Sequence, residues 1–239
     1  TNITIDQIRV LKKFINDSPS IENLKKIIII DSADDLNISA ANSLLKTLEE
    51  TKTNTIIFLI SHQLSSLLPT IRSRCLKFKL NKHNYDNFQK ILRRKIDDLT
   101  EDEIKFYYDL SYGSPGNSIA LYEDNIIDVF DMTLVSLNTN QIDNNCIDLV
   151  NILSKLDNDK FKSYLFLVKS ILVILNKLKT LNNGPNNYLS KKFQLLEDMS
   201  QKLTKQNIID RFDFLSNNES DLFTYNLDKK LFMLKFITS

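Results

Sequence analysis

Four consecutive isoleucines, Ile27, Ile28, Ile29 and Ile30, stand between the lysine pair Lys25 and Lys26 and a closing Asp31. Few segments leave a chain less choice. β-Branched side chains are stiff at χ1 and favour extended backbone. An unbroken apolar run has no polar face to offer to water, yet this one is far short of the roughly 20 residues that a membrane span needs. It reads as a strand buried on both faces, as in a parallel sheet. Asp31 then falls at the carboxyl end of that strand, where open α/β sheets place their ligands.

The flanking segments fit the same architecture. Ile8, Leu11 and Ile15 share one face of a helix over residues 5–15, which Pro19 and Ser20 interrupt. After Asp31, Ala41, Leu44, Leu45 and Leu48 recur at helical spacing, with Ser39 as the N-cap candidate. NTIIFLIS, residues 54–61, reads as a second buried strand. SSLLPTIRSR reads as a short helix stopped or bent near Pro69. Beyond it Leu76, Phe78 and Leu80 alternate with Lys77 and Lys79, the pattern of a strand with one polar face. Helix and strand alternating over about 80 residues argue for α/β with parallel strands.

No further strand is expected after Leu80. Helices are predicted over residues 85–99, 101–112, 115–123 and 126–137. Thr100 with Glu103 forms a capping-box pattern, and Ser114 with Pro115 is a second start signal. Asn-rich residues 138–145 read as a linker. Residues 161–178 are apolar nearly all round, which suits a helix at the centre of a bundle or in a subunit interface. Residues 182–187, NNGPNN, read as a loop, and helices follow over 188–203, 206–215 and 228–237. The boundaries are an α/β piece over 1–82, a small helical domain over 83–138 and a larger helical domain over 139–239.

Composition narrows the chemistry. Only Gly113, Gly116 and Gly184 occur among 239 residues, so neither G-x-x-x-x-G-K-[ST] nor G-x-G-x-x-G can be placed. Cys75 and Cys146 make neither a disulfide framework nor a spaced metal set, and a reducing cytosol is the simplest compartment. No signal peptide opens the chain, which begins at Thr1 and so reads as a fragment or a processed product. Lysine plus arginine number 31 against 30 acidic residues, and a net charge of +1 gives no global pull toward nucleic acid. His62 and His83, the only histidines, sit in no nucleophile or metal pattern. Asp31 could hold Mg²⁺ through water, as in ATPases of this architecture, or merely cap a loop. Ser32 follows it where such ATPases carry a glutamate, and Asp34 and Asp35 come too late to replace that base. Ser61, at the end of the second strand, could sense a γ-phosphate. His62 reads as a surface imidazole.

Arg72 and Arg74 stand two residues apart before 76–80, with no acidic residue close in sequence. An unpaired guanidinium is costly to bury, so both are expected to face solvent or a partner. The order of motifs here, KKIIIIDSADDLNISAANSLLKTLEE, then TIIFLISHQLSSLLPTIRSRCLKFKL, resembles the AAA+ module of the clamp-loader subunits of bacterial DNA polymerase III. The resemblance covers residues 25–80 and rests on the helix signature plus the triplet Ser73, Arg74 and Cys75. It implies a partial AAA+ (RecA-like) parallel sheet, a small helical lid and a C-terminal helical collar bundle.

The departures are similar to those of the family's non-hydrolysing members, which keep the triplet. Ser32 replaces the glutamate. Pro115, Gly116 and Asn117 stand where a lid arginine would be expected. The resemblance implies that Arg74 acts as an arginine finger in trans on the ATP of a neighbouring subunit, with Ser73 and Cys75 as triplet neighbours. Asp31 and Ser61 would then be vestigial, and the chain would have no intact nucleotide site, metal or cofactor of its own. Partners would be gamma/tau-like ATPase subunits and a delta subunit, with the sliding clamp and primer-template DNA reached through the assembly, in a bacterial cytoplasm and without a membrane. Alternatives are an active gamma/tau-like ATPase whose phosphate loop precedes this sequence, and a helical interaction module. The family's strand order, 5-1-4-3-2, leaves candidates here for strands three, four and five only. A longer parent with an N-terminal zinc-bearing portion, or a distorted α/β block, is therefore expected, with the collar the most self-sufficient part.

Overall fold

The computed structural model describes residues 2–17, 25–50, 55–138, 142–180 and 192–238. The loop expected over 182–187, including Gly184, and the break at Pro19 and Ser20 lie outside them. The chain divides into two compact units, Thr1–Leu80 and Asn81–Ser239.

In the first unit, α1 (Ile5–Asn16) starts with a capping box in which Thr4 and Gln7 satisfy each other's backbone. Its C-terminal carbonyls need a donor, and Lys26 supplies one. The Lys26 ammonium donates to the carbonyls of Phe14 (2.6 Å), Ile15 (2.9 Å) and Asp17, a cation at the negative end of a helix. Lys26 opens β1 (Lys26–Ile30), so one side chain ties the first helix to the first strand. A 3₁₀ turn, Ala33–Asp35, leads to α2 (Ile38–Glu50). The cap of α2 is not Ser39: Asn37 Oδ1 accepts from the Ala40 N–H at 2.8 Å, and Ser39 lies inside the first turn. Both residue types suit an N-cap, and the spacing of the apolar face does not choose between them.

β2 (Thr55–Leu59) pairs parallel to β1, Ile27 against Ile56 and Ile29 against Phe58. Ile28 and Ile30 join a core with Ile8, Ile15, Ala40, Ala41, Leu44, Leu67 and Ile71. The expectation of strands buried on both faces is corrected here. Ile27 is 59% exposed, Ile29 64% and Phe58 53%. Among the described residues, helices cover one face of this two-stranded sheet only. Residues 76–80 are also corrected: they form no strand, and Leu76, Phe78 and Leu80 are exposed. Alternation marks which side chains would share a face, but a strand exists only where its backbone has a ladder partner. None of the described residues offers one.

Pro69 does not stop a helix either. It occupies the first turn of α3 (Pro69–Arg72), where its missing N–H costs nothing.

The second unit is helical throughout: α4 (Tyr85–Arg93), α5 (Glu101–Leu110), α6 (Pro115–Glu123), a 3₁₀ turn at Ile126–Val129, α7 (Phe130–Asn138), α8 (Asn144–Leu153), α9 (Asn158–Thr180), α10 (Phe193–Lys202), α11 (Lys205–Thr224) and α12 (Lys229–Thr238). The Thr100–Glu103 capping box and the Ser114 cap form as read. α4 ends earlier than expected. Ile96 and Leu99 still reach the core from outside it, and Arg93 braces the exit by donating to the Leu99 carbonyl and pairing with Glu101 at 3.2 Å. α8 differs from the expected linker over 138–145: Asp143, within that stretch, is its N-cap and accepts from the Cys146 N–H at 2.8 Å. Gly113 has φ +75°, and a Cβ there would stand 2.9 Å from the His83 carbonyl oxygen, so glycine suits the turn out of α5. One continuous core runs from Phe88 through all ten bundle elements to Ile237, with α9 contributing Phe161, Tyr164, Leu165, Val168, Leu172 and Leu175. Residues read as lid and residues read as collar share it.

Candidate functional site

The carboxyl ends of β1 and β2 lie side by side, and the polar residues there engage one carboxylate. It is Asp34, not Asp31. Ser32 Oγ donates to Asp34 Oδ2 at 2.9 Å, Ser61 Oγ and Ser66 Oγ each donate to Oδ1 at 2.7 Å, and the His62 backbone N–H donates to Oδ2 at 2.6 Å. Ser32 also caps the 3₁₀ turn by accepting from the Asp34 N–H. Asp34 thus ties the end of β1 to the loop that leaves β2. Asp31 is exposed and outside this cluster. Ser61 points its hydroxyl at Asp34. The His62 residue is exposed, as read. Asp34 comes too late in sequence for the ATPase base, and the proximity of Ser61 and Ser66, distant in sequence, gives it structural work instead.

Partial desolvation pushes the Asp34 carboxyl up, but the His62 N–H and the hydroxyls of Ser66, Ser61 and Ser32 outweigh it and hold the group well below the usual carboxylate range. A carboxyl lowered on folding contributes stability that is full above its unfolded value, about 4, and is lost as pH falls below that. Asp34→Asn is therefore expected to flatten the acid limb. Below about pH 4, the urea midpoint of the wild-type chain will fall with pH more steeply than that of the variant, and the gap between the two curves will narrow as the pH is lowered further. Parallel curves would exclude the assignment.

The triplet lies just past α3. Ser73 Oγ donates to the Thr70 carbonyl at 3.0 Å. Arg74 Nη1 donates to the same carbonyl at 3.1 Å, and its Nη2 stands 2.5 Å from Glu49 Oε1, near the end of α2. The Arg74 side chain remains 39% exposed and that of Glu49 49%. A structural ion pair is the alternative reading of Arg74, and the structure forms one; the sequence does not name Glu49 as the partner, because Glu49 lies in α2, well before the triplet. Arg72 is half-buried, and its Nε has no hydrogen-bond partner among the described residues. Cys75 is half-buried against the core of the first unit, and burial raises its thiol, which disfavours the reactive thiolate. Pro115, Gly116 and Asn117 form the first turn of α6 behind the Ser114 cap. Among the described residues no cluster of three or more histidine, cysteine or acidic side chains could hold a metal, and no helix is long and apolar enough to cross a membrane.

Two things can be done chemically with this arrangement. The Asp34 cluster fixes the sheet end, its carboxylate engaged by three hydroxyls and one backbone N–H. The Arg74 fork, anchored at both η nitrogens and half open to solvent, can offer its remaining N–H groups to an oxyanion.

Residues 1–84 match the family described as "DNA polymerase III, delta subunit". The delta' subunit of DNA polymerase III from Pseudomonas aeruginosa is 36% identical over 113 residues, 47% of this chain and 34% of that protein. The delta' subunit from Escherichia coli is 33% identical over 119 residues, covering 50% and 35%. The gamma subunit from Buchnera aphidicola is 27% identical over 227 residues, 91% of this chain and 59% of that protein. The chain spans about a third of the length of the delta' relatives it matches.

Proposed function

We propose that this delta'-like clamp-loader chain is a non-hydrolysing subunit that stands as a stator in the loader ring and lends Arg74 in trans to the ATP of a neighbouring gamma/tau-like subunit. The observation that carries this is the half-exposed Arg74 fork, held at a fixed point within residues 1–84, which match the family described as "DNA polymerase III, delta subunit". A guanidinium is planar, permanently charged and matched to phosphate oxygens. Hydrolysis in the chain itself is disfavoured by Ser32 in place of a glutamate. A delta subunit, the sliding clamp and primer-template DNA complete the assembly in the bacterial cytoplasm, and neither zinc nor nucleotide is held by these residues.

The gamma-like reading, an ATPase in its own right, is favoured by the match to a gamma subunit over 91% of the chain. One experiment separates the readings. The chain is mixed with a gamma-type ATPase subunit and a delta subunit, and assembly is measured by gel filtration and ATP turnover by phosphate release. The stator reading expects co-assembly, raised turnover in the complex and none from the full-length parent protein alone. Mg²⁺-dependent turnover by that full-length parent alone would establish the gamma-like reading, whose phosphate loop precedes these residues, and no co-assembly would leave only an interaction module.

A further inference from the structure

We infer that Glu49 is a positioning residue for Arg74, and that the finger is preorganised by its own chain. This rests on the trans-arginine reading above. The carboxylate holds one η nitrogen and the Thr70 carbonyl holds the other. A free arginine side chain samples many rotamers, and fixing it at the moment of reaction costs entropy. Two anchors on two different backbone segments remove most of that freedom beforehand. They use two of the five guanidinium N–H groups, so three remain for a phosphate oxygen. Donors already aimed before charge develops need no reorganisation at that point, which is the condition for electrostatic stabilisation of a transition state. The pair is also half open to solvent, so a partner's triphosphate can reach the guanidinium while Glu49 still holds it. Glu49 sits near the C-terminus of α2, and the core residues Ala40, Ala41 and Leu44 fix that helix against the sheet. The carboxylate therefore transmits the rigidity of the sheet to the guanidinium.

The experiment measures kcat and KM for ATP in the complex of the full chain with gamma-type and delta subunits. Glu49→Ala removes the anchor, and Glu49→Gln keeps an acceptor oxygen. The expected result is a kcat lowered roughly threefold to tenfold in Glu49→Ala, with KM unchanged and substantial recovery in Glu49→Gln. In an Arg74→Ala background, Glu49→Ala is expected to have no further effect, because its contribution runs through the arginine. Higher kcat in Glu49→Ala would make the pair a restraint on the finger and overturn the inference, as would an undiminished loss in the Arg74→Ala background or unchanged kinetics in Glu49→Ala. Failure of the trans-arginine reading is told apart by the single variant Arg74→Ala: if that variant alone leaves turnover intact, the finger itself falls. If Arg74→Ala abolishes stimulation while Glu49→Ala is silent, the finger stands and only the positioning role is lost.

Discussion

Arg74→Ala will return ATP turnover in the reconstituted loader to the rate of the ATPase subunit without stimulation, and will leave the complex assembled. An arginine supplied in trans to a phosphoryl transfer is worth roughly 10³–10⁵ in rate, or about 4–7 kcal/mol of barrier. The same side chain contributes little to the chain's own stability. Its pair with Glu49 is half-exposed, and such pairs contribute about 0–1 kcal/mol. A kinetic loss far larger than the loss of folding stability is therefore the signature expected of this residue. Arg74→Lys should recover only part of the rate, since an ammonium keeps the charge but not the planar fork. Thermal unfolding of Arg74→Ala should sit close to wild type. Should turnover hold at the wild-type level, Arg74 has no catalytic part. Should the complex fail to form while the chain remains folded, Arg74 belongs to a contact surface.

What could be read from the sequence was local. The Thr100–Glu103 box and the Ser114 cap form as read because each lies within four residues of its partner. Periodicity found α1 and α2, whose apolar faces are set by neighbours one turn away, and the near-continuous apolar content of residues 161–178 found α9. The Ile27–Ile30 run was correctly read as extended, but its burial depends on what lies across the sheet, and Ile27 and Ile29 are exposed. The alternation over 76–80 was real and yet produced no strand, because pairing needs a second backbone. At the site, Ser73, Arg74 and Cys75 were legible as a triplet. Glu49 and Asp34 were not, since their partners arrive from other segments. An acidic residue late in an amphipathic helix looks the same whether it faces water or holds a guanidinium. Arg211 is the extreme case. It stands in α11 between Asp210 and Phe212, where a charged side chain reads as solvent-facing, yet it is fully buried.

That burial leads to a large expected stability effect in the helical unit. Arg211 Nη1 donates to the Leu137 carbonyl and Nη2 to the Ile237 carbonyl at 3.2 Å. Leu137 lies at the C-terminal end of α7 and Ile237 at that of α12. Each helix ends in carbonyls with no intrahelical donor and carries partial negative charge there. One guanidinium thus closes two helix ends inside a core. Burial also lowers its proton affinity, a sign that the charged form is held at some cost. The balance is decided by what removal leaves behind. Replacing a buried ion pair with apolar groups can be neutral or stabilising when both partners go. Here the carbonyls stay, and each buried acceptor left without its donor costs about 1–3 kcal/mol. Arg211→Ala, which also opens a cavity, is expected to lower the unfolding free energy by about 3–5 kcal/mol. Arg211→Met fills much of the space but supplies no donor, and should lose about 2–4 kcal/mol. Arg9→Ala, which removes an exposed pair with Asp6, should lose less than about 0.5 kcal/mol and serves as the control. Urea unfolding followed by circular dichroism reads all three, with midpoints shifting at constant slope. An Arg211→Met variant as stable as wild type would mean that the cost of stripping water from the guanidinium cancels both caps, and that the helix ends do not need them.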